Sequence, residues 1–397
     1  MRVYSASSEE TLRARKLLKD WVGEGFVTKE QYQLLEKETV SELRTTNIFL
    51  RLVLFLFTLI SVGAAAALFL EVFLSGPSEQ TTGVFFLIFA PVCYAAAEIA
   101  VSQARLYRYG IEEALAVCSV VFLCVGIQLA LFTGRSYSPA ECLVPAAGAV
   151  FSLWIWRRFG FPYAFIAAMI FVIFLPGYWT SSPSARHLII AAFYTTGLIA
   201  VATVRSRHRF DYLEQTYSLV EAFLWLGIYL AVNLKLSSFD LPPRWSIGIP
   251  DTSGLFPRPF YWGTWVMIWC LPPIVLARGL RQKDRFVIAV GAIVATLTLV
   301  SNKPYLGWPR HTWDPMLLGV LLTGVAVLLR RWLARSPGGI QHGFTAARLS
   351  GKDKDWINVG ATVAGLLSPQ PPAPQPSRPD FHFGGGQTGG GGASGDF

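Results

Sequence analysis

Long uncharged apolar runs recur along the chain, and they set every other reading. The first, Leu52–Leu70, places nineteen residues between Arg51 and Glu71 with no charge among them. At ~1.5 Å of rise per residue, a helix of that length covers about 28 Å, close to the ~30 Å hydrocarbon thickness of a bilayer. Nine further runs repeat the pattern: Gly83–Val101, Ile111–Phe132, Pro139–Trp156, Gly160–Trp179, His187–Val204, Leu213–Leu236, Pro259–Ala277, Phe286–Ser301 and Asp314–Leu333. None alternates like the strand of a barrel, and backbone exposed to lipid must satisfy its own hydrogen bonds. The pattern predicts an all-α polytopic membrane helix bundle of about ten transmembrane helices.

The remaining residues fall at the two ends. Between Glu9 and Thr46, Leu12, Leu17, Leu18, Trp21 and Val22 recur at helical spacing, with Arg and Lys on the other face. Gly23 and Gly25 are suited to stopping that helix. Thr28-Lys29-Glu30-Gln31 then reads as a capping box opening a second helix, with Tyr32, Leu34, Leu35 and Val40 as its apolar positions. Residues 1–46 thus form a cytoplasmic amphipathic helical unit packed on the membrane surface or on neighbouring loops. Trp21 and Phe26 are its candidate contacts for a protein partner. Beyond the membrane domain, 47–335, residues 336–367 form a cytoplasmic segment whose stretch from Trp356 to Leu367 suits the membrane face. Residues 368–397 are a Pro/Gly-rich tail with too little apolar content to pack a core, and disorder is expected there.

Composition agrees with the pattern. Hydrophobic residues make up 53% of the 397 and charged ones 15%, with a mean hydropathy of +0.43, too little charge for a soluble surface of this size. The net charge of +9 is carried by short clusters between apolar runs, with no basic stripe interleaved with aromatics, so nucleic acid is not an expected partner. The lipid bilayer is. With the N-terminus inside, ten spans leave 26 of the 34 Lys and Arg residues on inner segments and 6 on outer loops, with Arg51 and Lys235 at span ends. Such a bias predicts both termini in the cytoplasm. The first apolar run is too long for the core of a secretory leader, so it is expected to remain as the first span. All five cysteines lie in apolar stretches and the five histidines are scattered singly, which predicts neither disulfides nor a metal site.

Two stretches carry a resemblance. Leu18, Trp21, Gly25-Phe26-Val27-Thr28, Gln31 and Leu34-Leu35, followed at once by serial spans, resemble a family of predicted bacterial polytopic inner-membrane proteins with a short cytoplasmic Trp–Gly helical unit. Trp313-Asp314-Pro315, Arg330-Arg331-Trp332 and Pro337-Gly338-Gly339 are similar to an ending that recurs among such proteins. Together they cover about an eighth of the chain. The resemblance implies bacterial origin and an inner-membrane location, and supplies no activity.

Ionisable groups within a bilayer are costly and therefore functional candidates. Glu98 lies short of the inner end of the second span and Glu221 at similar depth in the seventh. Glu112 and Glu113 open the third, and Glu214 lies near the start of the seventh. Arg51 shares their level. The simpler reading is interfacial ion pairs and snorkelling side chains. The sharper one is a cytoplasm-facing cavity in which Glu98 and Glu221, with Arg51, bind a proton or cation. Prolines at 91, 145, 176 and 272–273 interrupt spans, as in broken transporter helices, though proline is also common in membrane helices. On the outer side, Arg244, Trp308, Arg310, His311 and Trp313 offer a candidate site for an anionic or sugar-bearing headgroup, against the commoner explanation of an aromatic belt. Phosphate loops, nucleophile elbows, zinc-protease helices and dinucleotide fingerprints are absent from the sequence, and no cofactor is expected. A non-enzymatic membrane scaffold or sensor is the leading expectation. A secondary transporter using intramembrane carboxylates comes next, then an enzyme acting on lipid-linked substrates.

Overall fold

A computed structural model describes residues 3–23, 27–39, 43–73, 78–132, 139–207, 214–236, 256–308, 311–335, 340–341 and 344–345. The chain divides into two compact units, Met1–Arg310 and His311–Phe397. In the first, α1 (Ala6–Gly23) and α2 (Lys29–Glu38) precede α3 (Ile48–Phe73), α4 (Glu79–Ser102) and α5 (Ile111–Leu131). A 3-10 turn at Pro139–Cys142 leads into α6 (Leu143–Phe159), followed by α7 (Pro162–Trp179), α8 (Pro183–Arg207) and α9 (Glu214–Val232). The unit ends with α10 (Arg258–Gln282) and α11 (Arg285–Tyr305). The second unit contains α12 (Asp314–Ala334) and a two-residue antiparallel pairing of Ile340–Gln341 with Phe344–Thr345.

Eight helices among the described residues are long and apolar enough to cross a membrane: α3, α4, α5, α7, α8, α10, α11 and α12. The other two predicted runs are also helical but shorter. Pro139–Trp156 becomes the 3-10 turn and the 17-residue α6, and Leu213–Leu236 contributes the apolar stretch Tyr217–Val232 of α9. Helical structure runs unbroken through Pro91 in α4 and Pro272-Pro273 in α10.

Successive helices of the first unit run back and forth. The start of α4 lies against the end of α5, where a Cβ on Gly83 would sit 2.2 Å from the Ala130 nitrogen, so only glycine permits this approach of two backbones. Small residues in such contacts suit helix association in lipid, where burial of apolar surface supplies no drive. Ala97, Val101, Tyr107, Ile155, Phe159 and Phe161 pack the ends of α4 and α6 against the connections beside them. A larger core joins α7 to α11 around Met169, Tyr194, Leu224, Tyr229, Ile268 and Val294. Many large apolar side chains face outward, as expected of a bundle solvated by hydrocarbon; on α3 they include Leu52, Phe57 and Ile60.

The N-terminal unit is seated on this bundle. Thr28 and Gln31 form the predicted capping box, each side chain accepting from the other's backbone N–H at 3.2 and 3.1 Å. Arg15 pairs with Glu36 at 2.7 Å and joins α1 to α2. Val3 donates its N–H to the Arg158 carbonyl (3.1 Å), and the Tyr4 hydroxyl donates to the Leu106 carbonyl (3.3 Å). Tyr4 stacks edge-on against Tyr107, whose hydroxyl reaches Glu9. Arg44 completes the docking through backbone bonds with Arg105 (2.9 Å) and Tyr107 (3.0 Å). The predicted interfacial stretch after Trp356 and the Pro/Gly tail lie outside the described residues.

Candidate functional site

Helix ends of alternating direction bring Arg51, Glu98, Glu113 and Glu221 to one end of the bundle, where each finds a partner. Arg51 at the start of α3 donates Nε to Glu113 Oε2 at 2.7 Å and Nη2 to Oε1. Glu112 precedes it in the first turn of α5, where the helix N-terminus favours negative charge. One Glu112 oxygen accepts from the Tyr109 N–H at 2.7 Å; the other, wholly buried, has no hydrogen-bond partner among the described residues. Glu98, near the end of α4, is bound by Arg158 at the end of α6 through Nε at 3.3 Å and through Nη2. The sequence placed Glu98, Glu221 and Arg51 in one candidate cavity; the fold distributes them over three different ion pairs.

Glu221 stands in the most buried of these. Its side chain is fully enclosed and accepts from Arg205 Nη1 at 2.7 Å and from Arg278 Nε at 2.5 Å. Arg205 Nη1 also meets Asp284 Oδ2 at 2.7 Å. Asp284 accepts from the Ser218 hydroxyl at 2.5 and 2.6 Å and caps α11 by accepting from the Phe286 and Val287 N–H groups. The cluster therefore ties together the ends of α8 and α10 and the starts of α9 and α11. Two guanidinium groups bridge two carboxylates, so the arrangement clamps four helix ends.

The other end of the same helices holds a neutral network that the sequence reading passed over. The Tyr229 hydroxyl meets Thr298 Oγ1 at 2.9 Å, and the Asn233 amide donates to Tyr229 and to Ser301 Oγ, both at 2.9 Å. Tyr305 accepts from the Leu234 N–H at 2.8 Å, and Tyr261 donates to the Tyr305 carbonyl at 3.0 Å. Lys235 lies over the Tyr261 ring at 5.4 Å, and His187 Nδ1 contacts the Ala231 carbonyl at 2.7 Å. A signal existed: Tyr229 and Asn233 stand four apart, and Thr298, Ser301 and Tyr305 follow helical spacing, a polar stripe in two otherwise apolar runs.

Of the predicted outer site, Trp308 is 60% exposed in the first unit, and His311 stacks on Trp313 at 5.7 Å in the second. The His311 N–H donates to Asp314 Oδ2 at 3.0 Å, which fixes the turn before α12. Arg244 and Arg310 lie outside the described residues, as does Phe26 of the predicted partner contact; Trp21 is 45% exposed on α1.

A cavity of about 600 Å³ opens where the N-terminal hairpin meets the bundle. Arg15, Lys19 and Glu36 line it from α1 and α2, Arg51 and Ile48 from α3, and Tyr107 and Arg108 from the α4–α5 connection. The Arg15 guanidinium beside Glu36 holds that carboxyl below the usual range, and burial pushes the Tyr4 phenol well above its ordinary value. Gly110 makes this junction close. At φ 107° it adopts a backbone open chiefly to glycine, and a Cβ there would lie 2.3 Å from the Arg51 carbonyl oxygen. Arg105 and Arg108 in the same connection also have positive φ, 53° and 50°, an uncommon conformation for side-chain-bearing residues, and the Arg105 carbonyl accepts from the Arg44 N–H.

No protein-family model, no curated protein and no solved structure matches this chain.

Proposed function

We propose that this multi-pass membrane protein crosses a bacterial inner membrane ten times with both ends in the cytoplasm. Its role is that of a sensor or scaffold, read out through residues 1–46. In support of the count, α6 and α9 take their places in the alternation of α3 to α11: Arg158 at the end of α6 meets Glu98 near the end of α4, and Ser218 at the start of α9 meets Asp284 before α11. The excess of Lys and Arg on the segments at that end favours its cytoplasmic placement.

One observation carries the functional reading: the N-terminal hairpin is docked, through Val3, Tyr4, Glu9 and Arg44, on the bundle end where the ion pairs gather. A hairpin seated on one end of the bundle through such hydrogen bonds and the packing of Val3, Tyr4 and Leu12 can change its seating while the spans stay folded, as a signalling element must. The carrier reading gains less, since Glu98 and Glu221 are engaged by arginines. Two measurements test the proposal. A cysteine introduced as Ser5→Cys should react with an impermeant maleimide in inverted vesicles and not in intact spheroplasts; the reverse pattern refutes the orientation. Proximity labelling from the N-terminus should yield neighbours that vanish in Tyr4→Ala with membrane insertion intact. Solute flux into proteoliposomes that Glu221→Gln abolishes would establish a carrier instead.

A further inference from the structure

From the cavity between the N-terminal hairpin and the bundle we infer a binding site for a phosphate-bearing anion, and the lipid headgroup is the source that the geometry favours. Four cationic side chains from three separate segments face one space: Arg15 and Lys19 on α1, Arg51 on α3 and Arg108 before α5. The one lining carboxylate among the described residues, Glu36, is paired with Arg15. Arg51 is likewise engaged by Glu113, but a guanidinium carries five N–H donors and a carboxylate takes only part of them. The excess of positive charge suits a polyanionic oxygen cluster, for which arginine offers paired donors and lysine a point charge.

The choice of source rests on Ile48. It opens the first span and lines the cavity, and it is 73% exposed. Leu52 and Leu56, four and eight residues on, continue the exposed apolar surface of α3 on the same side. A headgroup held among the cations could therefore leave its acyl chains on α3, whereas a free phosphate would use the polar half of the site alone. Basic clusters beside a span attract anionic lipid for the same reason. Occupancy would brace α1 against Arg51 and Arg108 and so bias the seating of the hairpin, which supplies the sensor reading with its input. The binding step rests on that reading only for the side of the membrane it faces.

The test uses the purified full chain in a neutral detergent, titrated with short-chain phosphatidic acid and, separately, with pyrophosphate, and followed by the thermal midpoint. Phosphatidic acid should raise the midpoint with concentration, and Arg15→Gln with Lys19→Gln should weaken its apparent affinity about tenfold for each charge-assisted bond removed. Both positions are exposed on α1, so the unliganded midpoint should stay near wild type, and its measurement verifies folding. The pair Arg281→Gln and Lys283→Gln, exposed at the same end but outside the cavity, should leave the affinity unchanged. A midpoint rise with phosphatidic acid and little with pyrophosphate identifies the lipid source. An equal response to both identifies a soluble anion in the same site. No response to either, or equal weakening by the control pair, overturns the proposal. Because the assay needs no membrane orientation and no partner, its result is independent of the labelling experiments above.

Discussion

Glu221→Gln probes the ionic clamp, and the structure allows its cost to be worked through. The wild-type carboxylate is fully buried between Arg205 at 2.7 Å and Arg278 at 2.5 Å. An amide keeps the shape and one acceptor but turns an N–H₂ toward a guanidinium. Removing one partner from a buried pair generally costs about 3–5 kcal/mol, because the other charge is left without compensation. Here the remaining charges are not stranded: Arg205 keeps Asp284, and Arg278, with 35% of its side chain exposed, can turn to water. A lower figure of about 2–3 kcal/mol follows, which lowers the thermal midpoint by roughly 3 °C in a chain of this size. Arg205→Gln should cost more, since it takes the shared cation from two carboxylates that meet the same nitrogen. Arg278→Gln should cost least. Tryptophan-detected unfolding in detergent, with the double variant Glu221→Gln/Arg278→Gln, supplies the check. The double loss should fall well short of the sum, because each single change already breaks the same pair. A Glu221→Gln midpoint within about 1 °C of wild type, or strict additivity in the cycle, would refute the clamp.

Two further outcomes follow from the docking junction. Gly110→Ala forces an L-residue into φ 107° against the Arg51 carbonyl oxygen, and the backbone conformation alone should cost about 1–3 kcal/mol in the same unfolding assay; an unchanged midpoint would contradict the close approach. Tyr4 is an acid whose folded pKa is raised by burial, so its stabilisation is complete below the ordinary phenol value near 10 and is lost as pH rises above it. The N-terminal hairpin should therefore loosen, and expose itself to protease, above about pH 10, with a smaller pH dependence in Tyr4→Phe.

Much of this architecture is written in the apolar pattern, because a span needs only length and the absence of charge, both properties of contiguous residues. Leu52–Leu70 and seven of the other nine runs became membrane-length helices for that reason, and the capping box at Thr28 and Gln31 formed because its two bonds are local. Which charges meet is not local. Nothing near Glu221 in the sequence names Arg278, fifty-seven residues away, or Asp284 beyond it; only the return of α10 and α11 to the same level puts them there. Glu98 and Arg51 looked equivalent by depth, yet the packing of α4 against α5 and α6 gave each a different partner. The basic cavity is more distant still from the sequence, since its four cations come from α1, α3 and the connection before α5 and converge only when the hairpin docks. The order of apolar and charged residues determined that the chain enters the membrane and how its segments begin and end. The tertiary structure decided which charges pair and which side chains share a cavity, because those contacts depend on helices crossing at distances that chain order does not encode.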